Sequence, residues 1–198
     1  YKKRLETLPK GDTGTSLTRE KLILPLLTEL GYEVSIQRAQ QVNGKSYAIS
    51  HSATNRDLFP IHVMGYNDNL DKRRDAGGPR LSPHALVQEY LNNTEHLYAL
   101  VTNGRQLRLL RDATRLVRMS YLEFDLERMF EEELYADFSL LFRLLHVSRM
   151  PEKIDAGSDA VIEFYHQESM ASGTRIREKL SEAVEISIKT LANGFLVN

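Results

Sequence analysis

Ser82-Pro83-His84-Ala85-Leu86-Val87-Gln88-Glu89-Tyr90-Leu91-Asn92, with the segment Leu97 to Arg111 that follows it, decides the fold. Ser82 is an N-cap residue and Pro83 suits the first helical position, where its missing N–H costs nothing. Ala85, Leu86, Tyr90 and Leu91 carry the helix forward, and Asn92-Asn93 end it. Leu97–Thr102 and Gln106–Arg111 then flank Asn103-Gly104, a strong short-range hairpin signal. A capped amphipathic helix that runs directly into a hairpin describes a mixed α/β chain.

Upstream, Ile61-His62-Val63-Met64 within Pro60–Gly65 is a short apolar run that fits a buried strand. Between it and the helix lies a polar, Arg/Gly-rich loop from Asn67 to Leu81. Tyr32–Ala39 and Lys45–His51 flank Asn43-Gly44 and predict another hairpin. A first helix is predicted from an N-cap at Thr18, with the stripe Leu22, Ile23, Leu26, Leu27, Leu30. Pro25 should kink it or mark its first turn, and Gly31 should end it. Residues 1–15 are polar and Gly/Thr-rich and are expected to form a loosely held arm.

Downstream, Leu116–Phe124 predicts a further strand, and Asp125 caps a helix through Leu134. Residues 136–148 place Phe138, Leu141, Phe142 and Leu145 on one helical face before Pro151 breaks it. Residues 159–191 predict one long helix, or two parted near Ser172-Gly173. The expected fold is therefore α/β (α+β): a mixed central sheet flanked by helices over residues 16–125, then a helical extension over 126–198.

At 198 residues with 41% hydrophobic and 27% charged residues, the chain has the balance of a globular protein with a sizeable core. It has no cysteine, which excludes disulfides and thiol nucleophiles and fits a cytoplasmic protein. No apolar run approaches the ~18 residues that cross a bilayer, and no signal peptide is visible. The first residue is not Met and the chain stops abruptly at Phe195-Leu196-Val197-Asn198, which reads as a piece of something longer. The formal net charge is -1, yet residues 66–118 hold nine Lys/Arg against six Asp/Glu, and residues 119–164 hold four against eleven. That asymmetry permits a local anion-binding face beside an acidic one.

The element order matches a metal-dependent nuclease, in which an Asp ends one strand and Glu-x-Lys sits on the next. There carboxylates hold Mg²⁺, and the metal and lysine activate water against a phosphodiester. Here Tyr47–His51 offers no carboxylate, and His62 and Gly65 stand where Glu-x-Lys belongs. A displaced metal site would have to draw on Asp57, Asp68 or Asp71 with Lys72. His51 and His62 lack a third ligand, and His84, His96, His146 and His166 show no ligand spacing. No phosphate-binding Gly-rich loop and no Gly-x-Ser-x-Gly elbow is present. What remains is basic: Lys72, Arg73, Arg74 and Arg80 precede a helix N-terminus, where phosphate oxygens are favoured. Arg105, Arg108, Arg111, Arg115 and Arg118 follow, with 105 and 111 of one strand parity and 108 of the other.

Several stretches together carry a resemblance: Leu24-Pro25-Leu26-Leu27, Ser82–Asn92, Leu100–Asp112, Tyr121-Leu122-Glu123-Phe124-Asp125-Leu126, Leu145-His146-Val147-Ser148-Arg149 and Asn193-Gly194-Phe195-Leu196. They resemble the N-terminal region of type IIG-like restriction–modification adenine methylases, including those of DISARM- and BREX-like phage-defence systems. The Thr102-Asn103-Gly104 hairpin after a glutamine-bearing helix is also similar to the nuclease domain of type I restriction motor subunits. By that likeness Gln88 corresponds to a glutamine near the cleavage site, although the usual Gln-x-x-x-Tyr spacing is not kept. The resemblance implies a restriction-endonuclease-like domain, degenerate relative to the PD-(D/E)XK pattern, in a parent that methylates adenine from S-adenosylmethionine. The methylase motifs are absent here, so that site would lie beyond Asn198. The implied role is a non-catalytic DNA-binding or scaffolding module, with DNA and other defence-system subunits as partners and Lys72, Arg73, Arg74, Arg80, Gln88 and Arg105 as DNA contacts. An active Mg-dependent endonuclease with a displaced site stays open. So does an interaction platform in which the acidic helices 126–148 dock a partner.

Overall fold

A computed structural model describes residues 1–74, 80–113 and 121–196. It divides into a compact unit, Tyr1–Ala160, and a separate helix that begins at Val161. The compact unit is a mixed α/β fold. Its helices are α1 (Lys2–Glu6), α2 (Thr15–Thr18), α3 (Leu24–Glu29), α4 (Pro83–Asn92), α5 (Leu126–Glu131) and α6 (Tyr135–Leu145). Its strands are β1 (Val34–Ile36), β2 (Gln40–Val42), β3 (Lys45–Tyr47), β4 (His51–Ala53), β5 (Phe59–Val63), β6 (Tyr98–Thr102), β7 (Gln106–Arg111) and β8 (Tyr121–Asp125). Six strands form one sheet in the order β1-β4-β5-β6-β7-β8, and β2 and β3 form a small ribbon. β5 and β6 run parallel with α4 as their crossover; the other neighbours pair antiparallel.

The helix α4 forms as its sequence requires. Ser82 Oγ accepts from Ala85 N at 3.2 Å, Pro83 occupies the first turn, and the helix stops at Asn92. Its inner face, Leu86, Val87, Tyr90 and Leu91, packs with Ala99, Val101 and Leu110 of the sheet and with Tyr47, Ile49, Met64 and Leu70. The opposite parity of the hairpin, Leu100, Leu107 and Leu109, is buried as well. Both faces of the central strands β5–β7 are therefore covered. The second layer of buried side chains comes from other helices: Ile23, Leu27, Leu30, Leu126, Leu141 and Leu145. Tyr32 Oη donates to Leu145 O at 2.7 Å and Val147 N to Leu30 O at 2.9 Å, which ties α3 to α6. Residues 126–160 thus belong to the compact unit, and the boundary of the helical extension falls at Val161 rather than after Asp125.

Several expectations shift by a residue or a turn. The first helix starts at Thr15 behind Gly14 (φ 73°), because Thr18 is fully buried and spends its hydroxyl on Tyr1 Oη and Tyr66 N. Pro25 falls in the first turn of α3, one of the two places expected for it. The turn before it, Arg19–Ile23, widens to a π-turn, which accommodates the N–H that Pro25 lacks. Gly31 (φ 83°) ends it, with Tyr32 N bonded to Leu27 O and Gly31 N to Thr28 O. The Asn43-Gly44 turn is present with both residues at positive φ, but it joins only β2 and β3; the predicted flanks split, and β1 pairs instead with β4. The second hairpin turns on Gly104-Arg105, because Asn103 Oδ1 accepts from Arg105 N and Gln106 N and extends the ladder by one residue.

Residues 1–14 contain α1 and make specific contacts. Asn67 N donates to Thr13 O, and a Cβ on Gly65 would fall 2.2 Å from that carbonyl oxygen. Asp125 caps α5 through Arg128 N, but the helix ends at Glu131, and Glu133 (φ 52°) starts a tight elbow into α6. Of the strand expected over Leu116–Phe124, residues 116–120 lie outside the described residues. So do Asp75–Pro79 of the basic loop. The separate helix, α7 (Val161–Leu196), is continuous through Ser172-Gly173. It carries exposed Ile176, Leu180, Val184, Ile188 and Leu191 at helical spacing. No helix among the described residues is long and apolar enough to cross a membrane.

Candidate nucleic-acid interface

Ser50 joins the two strands whose carboxylates a nuclease would need. Its backbone N donates to His62 Nδ1 at 3.3 Å, and its hydroxyl accepts from Val63 N at 2.8 Å and meets His51 Nδ1 at 2.8 Å. A backbone donor at His62 Nδ1 leaves the ring proton on Nε2. Both histidines are buried. Burial holds the His51 imidazole below the usual range, helped by the positive Arg19. Burial takes His62 down to about 4, with His51 and Arg74 acting the same way. At neutral pH the β4–β5 pair therefore holds two uncharged imidazoles. His51 Nε2 has no hydrogen-bond partner among the described residues.

The three candidate carboxylates are held apart by separate partners. Asp57, itself at φ 48°, accepts from Ile154 N at 3.0 Å. Asp68 is buried, accepts from Gly65 N at 2.8 Å, and takes both Nε and Nη2 of Arg74. Asp71 receives Arg108 Nη1 at 2.6 Å and Nη2 at 2.8 Å, and that bidentate hydrogen bond holds its carboxyl below the usual range. Among the described residues no group of three or more His, Asp or Glu side chains is spaced to hold a metal ion. The alternative displaced site would have to free Asp57, Asp68 and Asp71 from these partners.

The basic residues separate into held and open. Arg74 is clamped on Asp68 and also reaches Thr13 and Thr15 Oγ1 at 3.3 Å, so it straps the loop rather than presenting a guanidinium outward. Arg105 pairs through Nε with Glu127 at 2.9 Å and lies 5.4 Å over the Tyr66 ring, and half of its side chain stays exposed. Gln88 is 5% exposed. Its Nε2 donates to Asn92 Oδ1 and Arg111 O, which clamps α4 to the end of β7 and removes it from any DNA-facing role. Lys72, Arg73 and Arg80 are exposed, with no ion pair among the described residues. They stand at the two ends of the connection into the α4 N-terminus, where backbone N–H groups and cations act together on anions. Arg115 and Arg118 lie outside the described residues.

Sequence pattern alone does not reveal the surroundings of Arg108. This residue is buried, with Asp71 and Glu123 (Nε–Oε2 2.6 Å) on its guanidinium, His84 Nδ1 at 3.0 Å and the Tyr121 ring 5.0 Å away. Strand parity separates it from Arg105 and groups it with the core residue Leu110, but its partners come from a loop, from α4 and from β8. Beside this network lies a polar cleft of about 350 Å³, lined by Asn67, Asn69, Asn103, Arg105 and Asp125 among others. The cleft opens at the carboxyl ends of the parallel strands β5 and β6, the edge where α/β sheets present ligands.

No protein-family model matches the chain, and neither the curated proteins nor the solved structures contain a significant match.

Proposed function

We propose that this chain is a non-catalytic DNA-binding or scaffolding module of a restriction–modification or phage-defence DNA methylase, acting in the cytoplasm. The S-adenosylmethionine-dependent site of that enzyme would lie beyond Asn198. One observation carries the reading. The strand pair where a nuclease would need carboxylates holds uncharged, hydrogen-bonded His51 and His62, while exposed Lys72, Arg73 and Arg80 flank the connection that leads into α4. The first part argues against metal-dependent cleavage, and the second supports affinity for phosphates. The helix–strand order around the parallel β5–β6 pair supports the same reading.

Gel-shift titration with duplex DNA at low and moderate salt tests it. Binding should fall steeply with salt, and Arg73→Glu with Lys72→Glu should weaken all sequences about equally. Absence of binding at low salt defeats the proposal. Mg²⁺- or Mn²⁺-dependent nicking of supercoiled plasmid, lost on Asp68→Asn or Asp71→Asn, would instead favour a displaced endonuclease site.

A further inference from the structure

The elbow between α5 and α6 leaves apolar surface uncovered. Tyr135 is 80% exposed and Phe130 46%. With Met129, Leu134 and Phe138 they line an open groove of about 240 Å³, along which the Phe130 and Phe138 rings pack against each other with centroids 6.4 Å apart. The groove is built into the backbone. Leu134 N bonds to Met129 O and Tyr135 N to Glu133 O across the positive-φ residue Glu133. The groove is open to solvent beside exposed Tyr135. Its volume lies below the ~300 Å³ at which small-molecule pockets begin, so it suits an anchor residue of another protein.

The rim decides what kind of anchor. Residues 127–137 carry Glu127, Glu131, Glu132, Glu133 and Asp137 against the single cation Arg128. Arg128 is committed to Glu132 at 3.0 Å, and Glu127 already holds Arg105 and Tyr66. Glu133 lines the groove itself, and neither it nor Asp137 forms an ion pair among the described residues. Exposed tyrosine and phenylalanine at the centre, with carboxylates outnumbering cations around them, form an aromatic anchor site with a charged rim.

We propose that this groove docks a basic segment of a partner protein, which lays one large apolar side chain against Tyr135 and the Phe130–Phe138 pair and sets flanking Lys or Arg on Glu133 and Asp137. The proposal is independent of the DNA-binding reading and uses none of its residues.

Fluorescence anisotropy with two labelled probe peptides tests it. One probe has a central Leu between Lys pairs; the other replaces that Leu with Ser. The Leu probe should bind about tenfold more tightly, the factor expected for burying one aliphatic side chain. Tyr135→Ala and Phe130→Ala, both at surface positions, should abolish that preference. Glu133→Gln with Asp137→Asn should weaken both probes and flatten their salt dependence. Equal binding of the two probes, or a preference that survives both aromatic substitutions, overturns the anchor. Unchanged affinity in the carboxylate variant overturns the basic partner. A concentration-dependent dimer that Tyr135→Ala disrupts would assign the groove to a second copy of this chain and overturn the proposal as well.

Discussion

Two polar clusters are buried in one sheet, and they meet the cost of burial in opposite ways. In the β4–β5 strand pair, His51 and His62 are stripped of water and stay uncharged, with Ser50 supplying their hydrogen bonds. On β7, Arg108 cannot shed its charge at any accessible pH, so the structure surrounds it with Asp71, Glu123, His84 and the Tyr121 face. The difference shows what a buried ionisable group can do. A group whose pKa is near neutrality escapes by titrating, while one that is always protonated must be paired. The first cluster should therefore be sensitive to pH, and the second to loss of a partner.

The largest effect is expected at Arg108. Asp71→Asn with Glu123→Gln leaves a guanidinium that is 4% exposed without an anion. Urea denaturation should show a loss of about 3–5 kcal/mol, the penalty of an uncompensated buried charge. Arg108→Met should cost less than the double substitution, because the stranded carboxylates, at 61% and 34% exposure, recover hydration. If the two variants lose equal stability, the asymmetry between the buried cation and its half-open partners is wrong.

The histidine cluster is next. His62 has a pKa of about 4 when folded against about 6.5 unfolded. Above pH 6.5 both states are neutral and folding is unaffected. As pH falls from about 6.5 to about 4, the unfolded chain takes up a proton that the folded chain refuses, and stability drops. Below about 4 the loss levels off. The total is about 3 kcal/mol at most, at roughly 1.4 kcal/mol per pH unit. Denaturation midpoints followed across that window should fall, and His62→Asn, which keeps a side-chain acceptor, should flatten the slope. A wild-type curve as flat as the variant's would mean that His62 is not shielded as the structure has it.

Ser50→Ala probes the same cluster without touching charge. It strips a partner from Val63 N and from His51 Nδ1, and His51 Nε2 is already unpartnered among the described residues. A loss of about 1–3 kcal/mol follows from leaving buried groups unsatisfied. Ser50→Thr, which retains the hydroxyl, should recover part of it. Equal stability of the Ala and Thr variants would show that the hydroxyl does not hold the strand pair together.

Local chemistry is legible in the sequence, and long-range pairing is not. The α4 boundaries follow from Ser82-Pro83 and Asn92, because capping is decided within a turn. The hairpin is legible too, but its tip lies one residue on, since the Asn103 side chain acts as an extra rung. The continuity of α7 through Gly173 is undecidable from pattern, because one helical glycine costs only about 1 kcal/mol. Arg74 and Arg105 look like surface cations; Asp68, six residues away, and Glu127, twenty-two away, hold them. Gln88 looks like a site residue and is a clamp, because its partner Arg111 O arrives through the sheet pairing. No periodicity in a sequence encodes which loop carboxylate reaches which strand.

Lys72 and Arg73 stand outside both clusters and sharpen the contrast from the other side. They are exposed and make no ion pair among the described residues, so changing them removes no buried partner and creates no desolvated charge. Lys72→Glu with Arg73→Glu should leave the denaturation midpoint within about 0.5 kcal/mol of the unaltered chain. The same substitution should still weaken duplex DNA binding and lower its salt dependence, because every phosphate left without its cation keeps about one counterion on the DNA. Arg74→Glu should do the reverse. Placed against Asp68, a carboxylate that is 4% exposed, it sets two like charges together and should cost stability first. If Arg73 and Arg74 variants behave alike in both measurements, the division of this loop into a strap and an open cationic face is incorrect.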